Sequence, residues 1–208
     1  AEDAVLTVKG DLTACAVSVA AQIDAQLIVF SELEGLGGRE VTAMVEDTGI
    51  SVMLSRTAMP SNAVVAATDM TLREFPVLRK GAVVAERLGA PLTVVHNLEP
   101  QVSPPAMIAA DGTAFLPVMP LAERAKVRTR RATRLKTLGS KLPSVQTTIL
   151  QESDTVNAVL GLAKSQQADL VIVGHRRRSW LGRVLGESVA RGVVNRSVRS
   201  VLVVPIDK

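Results

Sequence analysis

The feature that most constrains the fold of this chain is a repeated segment. Residues 5–30 align without a gap with residues 148–173, and four aligned positions carry identical residues: Asp11 and Asp154, Ala20 and Ala163, Ala25 and Ala168, Leu27 and Leu170. Residues 51–54 align in turn with residues 200–203, so the second copy contains six additional residues between the two aligned blocks. Repeats keep their strands and helices and differ in their loops, which carry function. We therefore expect the function to depend on the longer loop of the second copy.

The composition indicates a globular protein with an aliphatic core. Of the 208 residues, 47% are hydrophobic, 21% are charged and 2% are aromatic. A core of Val, Ala, Leu and Ile suits strands that are covered by helices on both faces. The longest apolar runs are much shorter than a membrane span, and the single cysteine, Cys15, excludes an internal disulfide. We therefore expect a cytoplasmic protein that does not enter a membrane.

Strands and helices alternate from residue 62 onward. The hydrophobic pattern predicts five strands, at residues 62–68, 91–96, 145–150, 169–173 and 200–204, and four helices, at residues 74–88, about 121–141, 154–166 and a last one that ends near Asn195. Strands that alternate with helices in this rhythm are parallel. The sequence therefore predicts an α/β fold, Rossmann-like, with an open parallel five-stranded sheet.

The second of these helices is strongly basic. Its charges are those of Arg124, Lys126, Arg128, Arg130, Arg131, Arg134, Lys136 and Lys141. Nucleic-acid binding is one interpretation of such a segment. However, apolar residues recur along it at helical spacing from Leu121 to Leu138, and no aromatic residue for base stacking is interleaved. We interpret the charges as the solvated face of an amphipathic helix and expect no binding to nucleic acid.

Candidate site residues follow the strands. Open α/β sheets bind ligands beyond the carboxyl ends of their strands, and there Asp69 ends the first strand, His96 the second and Gly174 with His175 the fourth. Each histidine is either part of this site or a structural histidine bonded to backbone, and the pattern contains no metal-ligand set. The loop at residues 174–188 contains three glycines and three consecutive arginines. It could bind phosphate through backbone N–H groups and guanidinium groups, or it could be a loop with solvated arginines.

Residues 62–205 resemble a universal stress protein domain. The matching segments are the Asp that closes the first strand, ERLGAPLTVVH, ADLVIVG, GESVARGVV and SVLVVP. The N-terminal copy resembles the rear half of a second domain of this kind. The chain is therefore identified as a relative of tandem universal stress proteins, with an incomplete, degenerate first domain at residues 1–59 and a complete domain at residues 60–208. The resemblance implies the adenine nucleotide alpha hydrolase-like fold, with strand order 3-2-1-4-5, and dimerisation through the last strand.

The resemblance also implies a nucleotide site. Many members bind ATP through the pattern Gly-x2-Gly-x9-Gly-Ser/Thr, of which Gly174 matches the first glycine, Arg177 replaces the second, and Gly186 with Ser188 resembles a shifted Gly-Ser pair. His175 with Trp180 resembles instead the branch of the family that does not bind ATP. The residues implied in binding ATP or AMP, without a metal, are Thr68, Asp69, Val95, Gly174, His175, Arg177, Gly186 and Ser188.

Three functions are consistent with these features. The first is a non-enzymatic stress-response protein with a degenerate adenine-nucleotide pocket in the C-terminal domain. The second is a dimerisation or partner-binding module that needs no nucleotide, and the third is a weak ATPase or a phosphotransferase. Asp69 and Glu187 are the carboxylates predicted at the edge, which is too few to indicate catalysis. We predict the first function.

The N-terminal copy gives two further predictions. Its counterpart of the ligand loop, residues 31–40, carries three glutamates against one arginine, so we expect no nucleotide there. Its strands are predicted at residues 4–8, 26–30 and 51–54, as counterparts of strands 3, 4 and 5, which leaves a two-strand gap. A longer natural chain, a second subunit or repacking could fill this gap, and the sequence favours the first. Residues 51–54 and 200–204 should pair as an antiparallel pseudo-dimer, within the chain or in a homo-oligomer.

Overall fold

The computed structural model describes residues 9–31, 36–56, 62–70, 75–98, 107–108, 114–115, 121–142, 145–176 and 188–206. Within these ranges the helices are α1 (Leu12–Gln22), α2 (Gly38–Thr48), α3 (Pro76–Leu88), α4 (Leu121–Gly139), α5 (Thr155–Ser165) and α6 (Val189–Arg196). The strands are β1 (Leu27–Ser31), β2 (Ser51–Ser55), β3 (Val64–Ala67), β4 (Leu92–Asn97), β5 (Met107–Ile108), β6 (Ala114–Phe115), β7 (Val145–Leu150), β8 (Leu170–Arg176) and β9 (Ser200–Ile206). The strand predicted at residues 4–8 lies outside the described residues.

The main sheet has seven strands in the order β1-β2-β9-β8-β3-β4-β7. The neighbouring strands β7, β4, β3, β8 and β9 are parallel, whereas β2 is antiparallel to β9. The predicted α/β fold is confirmed, but the prediction of a five-stranded parallel sheet is wrong, because the N-terminal copy adds two strands and makes the sheet mixed. Within this larger sheet the five strands from residue 62 onward follow one another as β7-β4-β3-β8-β9, which is the relative order 3-2-1-4-5. β2 covers the backbone edge of β9, which would otherwise offer unpaired N–H and C=O groups.

The pairing of β2 with β9 is the antiparallel contact that the sequence predicts for residues 51–54 and 200–204. Val52 pairs with Val203, and Leu54 pairs with Val201. All four side chains are buried. The two copies therefore share one continuous sheet within a single chain, and both contribute residues to the buried clusters that cover it.

The repeated residues make the same local contacts in both copies. The Asp11 carboxylate accepts a hydrogen bond from the backbone N–H of Ala14 at 2.9 Å at the start of α1. Asp154 accepts from the N–H groups of Val156 and Asn157 at 2.9 and 3.0 Å at the start of α5. Both are N-caps. Past the helix ends, the N–H groups of Ala25 and Ala168 donate to the carbonyls of Ala20 and Ala163, each at 2.9 Å.

Two apolar layers cover the sheet, as the alternation of side chains along a strand requires. Val65 and Val171 pack with helices α2, α5 and α6 on one face, and Val64 and Ile172 pack with α3 and α4 on the other. α4 attaches to the sheet through its apolar stripe, in which Leu135 is 1% exposed. No described helix combines the length and the apolar character needed to cross a membrane.

Candidate functional site

A cavity of about 1100 Å³ lies at the carboxyl ends of the central strands. Its walls come from the ends of β3, β4 and β8, from α4 and from the starts of α5 and α6. The residues that line it are Ala67, Thr68, Asp69, Val95, His96, Asn97, Leu98, Ala125, Val127, Arg128, Thr129, Arg131, Gln151, Thr155, Val159, Val173, Gly174, His175, Arg176, Ser188, Val189 and Ile206. The site therefore lies at the sheet edge that the sequence indicates.

Six of the eight predicted nucleotide contacts meet in this cavity. They are Thr68, Asp69, Val95, Gly174, His175 and Ser188. Arg177 and Gly186 lie outside the described residues. The geometry thus brings the predicted residues to one place, and their role in binding a nucleotide stays a prediction.

Gly174 and His175 belong to a strand, although the sequence predicts a loop from residue 174. β8 continues to Arg176 because Gly174, His175 and Arg176 pair with Val204, Pro205 and Ile206 of β9. Gly174 is also required by packing. A Cβ at this position would overlap the Ile206 Cδ1 atom and would lie 2.8 Å from Val77 Cγ2.

Arg176 pairs with Asp69 at the mouth of the cavity. Its Nη2 donates to the Asp69 Oδ2 atom at 3.3 Å, and the two side chains are 37% and 51% exposed. The contact joins the ends of β3 and β8. A pair this exposed contributes about 1 kcal/mol or less to stability.

His96 is a buried histidine that orients an arginine. Its Nδ1 lies 2.7 Å from the Thr68 carbonyl oxygen, and the Arg131 Nη1 lies 2.8 Å from its Nε2. The carbonyl can only accept and the guanidinium can only donate, so Nδ1 carries the proton. Burial lowers the pKa of His96, the Thr68 carbonyl opposes this, and the nearby Arg131 lowers the pKa further. His96 is thus bonded to backbone, as one of its two interpretations expects, and it also lines the cavity, so a part in the site stays a prediction.

α4 supplies two arginines that the sequence does not single out. Arg128 and Arg131, one turn apart, line the cavity, and Arg128 Nη1 donates to Gln151 Oε1 at 3.3 Å. The prediction that this helix offers a solvated basic face is therefore incomplete. Their spacing of three residues shows that they share a face, but only the packing of α4 on the sheet shows that this face meets the site.

His175 bonds to two side chains, so its interpretation as a histidine bonded to backbone is wrong. Its Nε2 lies 2.7 Å from Glu46 Oε1, and its Nδ1 lies 3.2 Å from Ser188 Oγ. His175 is 4% exposed. Glu46 lies on α2 of the N-terminal copy, 129 positions away in sequence, and no pattern in the sequence identifies it. The N-terminal copy thus reaches the wall of the cavity.

The described parts of the chain hold no group of three or more His, Cys, Asp or Glu side chains arranged for a metal ion.

Comparisons with known proteins identify the family. The sequence model of the universal stress protein family matches residues 60–205. A protein of unknown function from Pseudomonas aeruginosa PAO1 has 15% identity and a TM-score of 0.67, over 95% of this chain and 69% of its own. A universal stress protein from Archaeoglobus fulgidus DSM 4304 has 18% identity and a TM-score of 0.61, over 94% of this chain and 66% of its own. These structures share the fold, and no curated protein sequence matches the chain. Since the family match covers more than half of its residues, the chain belongs to the universal stress protein family.

Proposed function

We propose that the cavity binds an adenine nucleotide, ATP or AMP, as a regulatory ligand in a stress response. The observation that carries this proposal is the meeting of Thr68, Asp69, Val95, Gly174, His175 and Ser188 in one cavity at the carboxyl edge of the sheet. The family resemblance implies these residues as nucleotide contacts, and edges of this kind bind ligands in open α/β sheets.

The charges in the cavity suit a phosphorylated ligand. Arg128 and Arg131 line the cavity with two guanidinium groups, and Ser188 and Val189 at the start of α6 also line it, where first-turn backbone N–H groups suit an anion. Asp69 offers a carboxylate that can accept from a ribose hydroxyl or an adenine amino group. Since Arg131 is held by the neutral His96, its charge remains available to a phosphate.

We propose further that the N-terminal copy serves as an intramolecular partner and binds no nucleotide. β2 occupies the edge of β9 through which the family resemblance implies dimerisation. The start of α2 is the counterpart of the start of α6 in the C-terminal domain. Its backbone N–H groups already have acceptors within the protein: the Gly38 N–H donates to Asn195 Oδ1 at 2.6 Å, and the Gly37 N–H donates to Glu40 Oε2 at 3.0 Å.

The test is nucleotide affinity in matched variants of α4. Native mass spectrometry should show ATP or AMP bound to the protein, and Arg131→Met should weaken binding about 10- to 100-fold, because a hydrogen bond to a charged group contributes roughly 1.5–3 kcal/mol. Arg130→Met removes the same charge from the same helix outside the cavity and should leave affinity within about twofold. Failure to retain either nucleotide, or equal affinities in the two variants, would contradict the proposal and favour a nucleotide-independent partner-binding module.

A further inference from the structure

Three side chains form a hydrogen-bonded row from the cavity into the protein. Ser188 Oγ lies 3.2 Å from His175 Nδ1, and His175 Nε2 lies 2.7 Å from Glu46 Oε1. Ser188 directly precedes α6, His175 lies in β8, and Glu46 lies in α2. The row therefore exists only because the N-terminal copy packs against the C-terminal domain.

The partners assign the protons in this row. The Glu46 carboxylate can only accept, so the Nε2 of His175 carries the hydrogen. In the neutral imidazole Nδ1 then has a lone pair, to which the Ser188 hydroxyl can donate. Ser188 precedes α6 as its N-cap residue, but its side chain makes no capping hydrogen bond, so the hydroxyl is directed at His175 and not at the helix backbone.

The row is oriented towards a possible substrate. Ser188 and His175 line the cavity and are 9% and 4% exposed, whereas Glu46 does not line it. The base is thus shielded from bulk water, and the serine lies beside it in the wall of the cavity. The first-turn N–H groups of α6 directly follow Ser188 and have no acceptor within the helix, so they can stabilise an oxyanion that forms beside this serine.

We propose that Ser188 is the nucleophile of a serine hydrolase site, with His175 as general base and Glu46 as the residue that positions His175. A serine needs an adjacent base to attack a carbonyl, and the base needs a third group to fix its tautomer and orientation. Here the serine lies within hydrogen-bond distance of the base, and the base lies within hydrogen-bond distance of the carboxylate that positions it. The imidazole is reversed relative to the chymotrypsin triad, in which Nε2 faces the serine.

The reaction is the hydrolysis of an ester in two steps. Ser188 Oγ attacks the carbonyl carbon while its proton moves to His175 Nδ1; the bond to the alcohol oxygen then breaks, and the alcohol leaves with that proton. Water attacks the acyl-serine, gives a proton to the same Nδ1, and the acid leaves as Ser188 Oγ takes the proton back. Arg128 and Arg131, on the wall formed by α4, suit an ester that carries a phosphate or carboxylate away from its carbonyl.

The test is covalent labelling with a fluorophosphonate probe in the absence of nucleotide. Peptide mapping should locate the adduct on Ser188, and Ser188→Ala should abolish it. His175→Gln should lower the labelling rate about 10²- to 10⁴-fold, since general-base catalysis has that magnitude. Glu46→Gln should lower the maximal rate at least about tenfold, because neutralising the carboxylate of such a triad leaves the imidazole in the wrong tautomer, and it should leave the probe concentration for half-maximal rate unchanged, which a purely structural role would not do.

Matched controls lie close in the chain. Ser197→Ala removes another buried serine, at the other end of α6, and Asp47→Asn neutralises the residue beside Glu46; both should label like the original protein. Circular dichroism checks that each variant is folded. If His175→Gln is unfolded, the labelling rate of Glu46→Gln is the measurement that tests the proposal. Absence of labelling above the heat-denatured protein, labelling that persists in Ser188→Ala, or a Glu46→Gln rate equal to that of Asp47→Asn would overturn the proposal. Because no nucleotide is used, failure of this proposal is distinct from failure of the nucleotide proposal.

Discussion

Gly174→Ala should destabilise the protein although it adds a single methyl group. The new Cβ would overlap Ile206 Cδ1 and would lie 2.8 Å from both Ile206 Cγ1 and Val77 Cγ2, well inside van der Waals contact. Gly174 does not have a positive φ, so the cost comes from packing and not from the backbone. Overpacking of this kind costs about 1–3 kcal/mol, and the lower entropy of the unfolded alanine chain returns about 0.4–1 kcal/mol. We expect a net loss of ~1–2 kcal/mol.

Urea unfolding followed by circular dichroism measures this loss, with a double-mutant cycle to locate it. Ile206→Val removes the Cδ1 atom that the new methyl would overlap, so the double variant should lose less than the sum of the two single losses, by at least about 0.5 kcal/mol. Gly161→Ala is the matched control. Its Cβ would meet nothing within 4 Å in α5, and removing a helical glycine should stabilise by about 0.5–1 kcal/mol.

Two results would refute this reasoning. One is a Gly174→Ala variant as stable as the original protein. The other is strict additivity with Ile206→Val. Either would mean that β8 and β9 adjust freely at this position, and Gly174 would then matter for the cavity alone.

Two further predictions concern the core and its response to pH. Leu54→Ala, in β2 between β1 and β9, should cost about 2–5 kcal/mol in a single cooperative unfolding transition, because Leu54 is 1% exposed; a separate early transition of the N-terminal copy would contradict the shared core. His96 has a folded pKa below its ordinary value of 6.5 because of burial. The unfolded chain therefore binds more protons at acidic pH than the folded protein does. The contribution of His96 to the free energy of unfolding is constant well above pH 6.5 and is lost as the pH falls below this value. Unfolding free energies at several pH values should fall on acidification more steeply for the original protein than for His96→Gln, and parallel curves would exclude this role.

The sequence by itself determined the local structure. The repeated residues Asp11 and Asp154 cap their helices through contacts two or three positions away, and such contacts depend on spacing alone. Gly89 ends α3 with a φ of 61°, as its position after the helical pattern predicts. The positions of most strands follow in the same way from runs of apolar residues.

The tertiary structure decided how far the sheet extends and which side chains meet in the cavity. β2 and β9 pair across the two copies, so a predicted five-stranded sheet became a mixed sheet of seven. Glu46 reaches His175 across 129 positions, and Arg131 reaches His96 across 35. Position 174 requires a glycine because the side chains of Ile206 and Val77, which lie on two other elements, leave no room for a Cβ atom. Contacts of this kind depend on which faces of separate elements pack together, and spacing along the chain does not determine that.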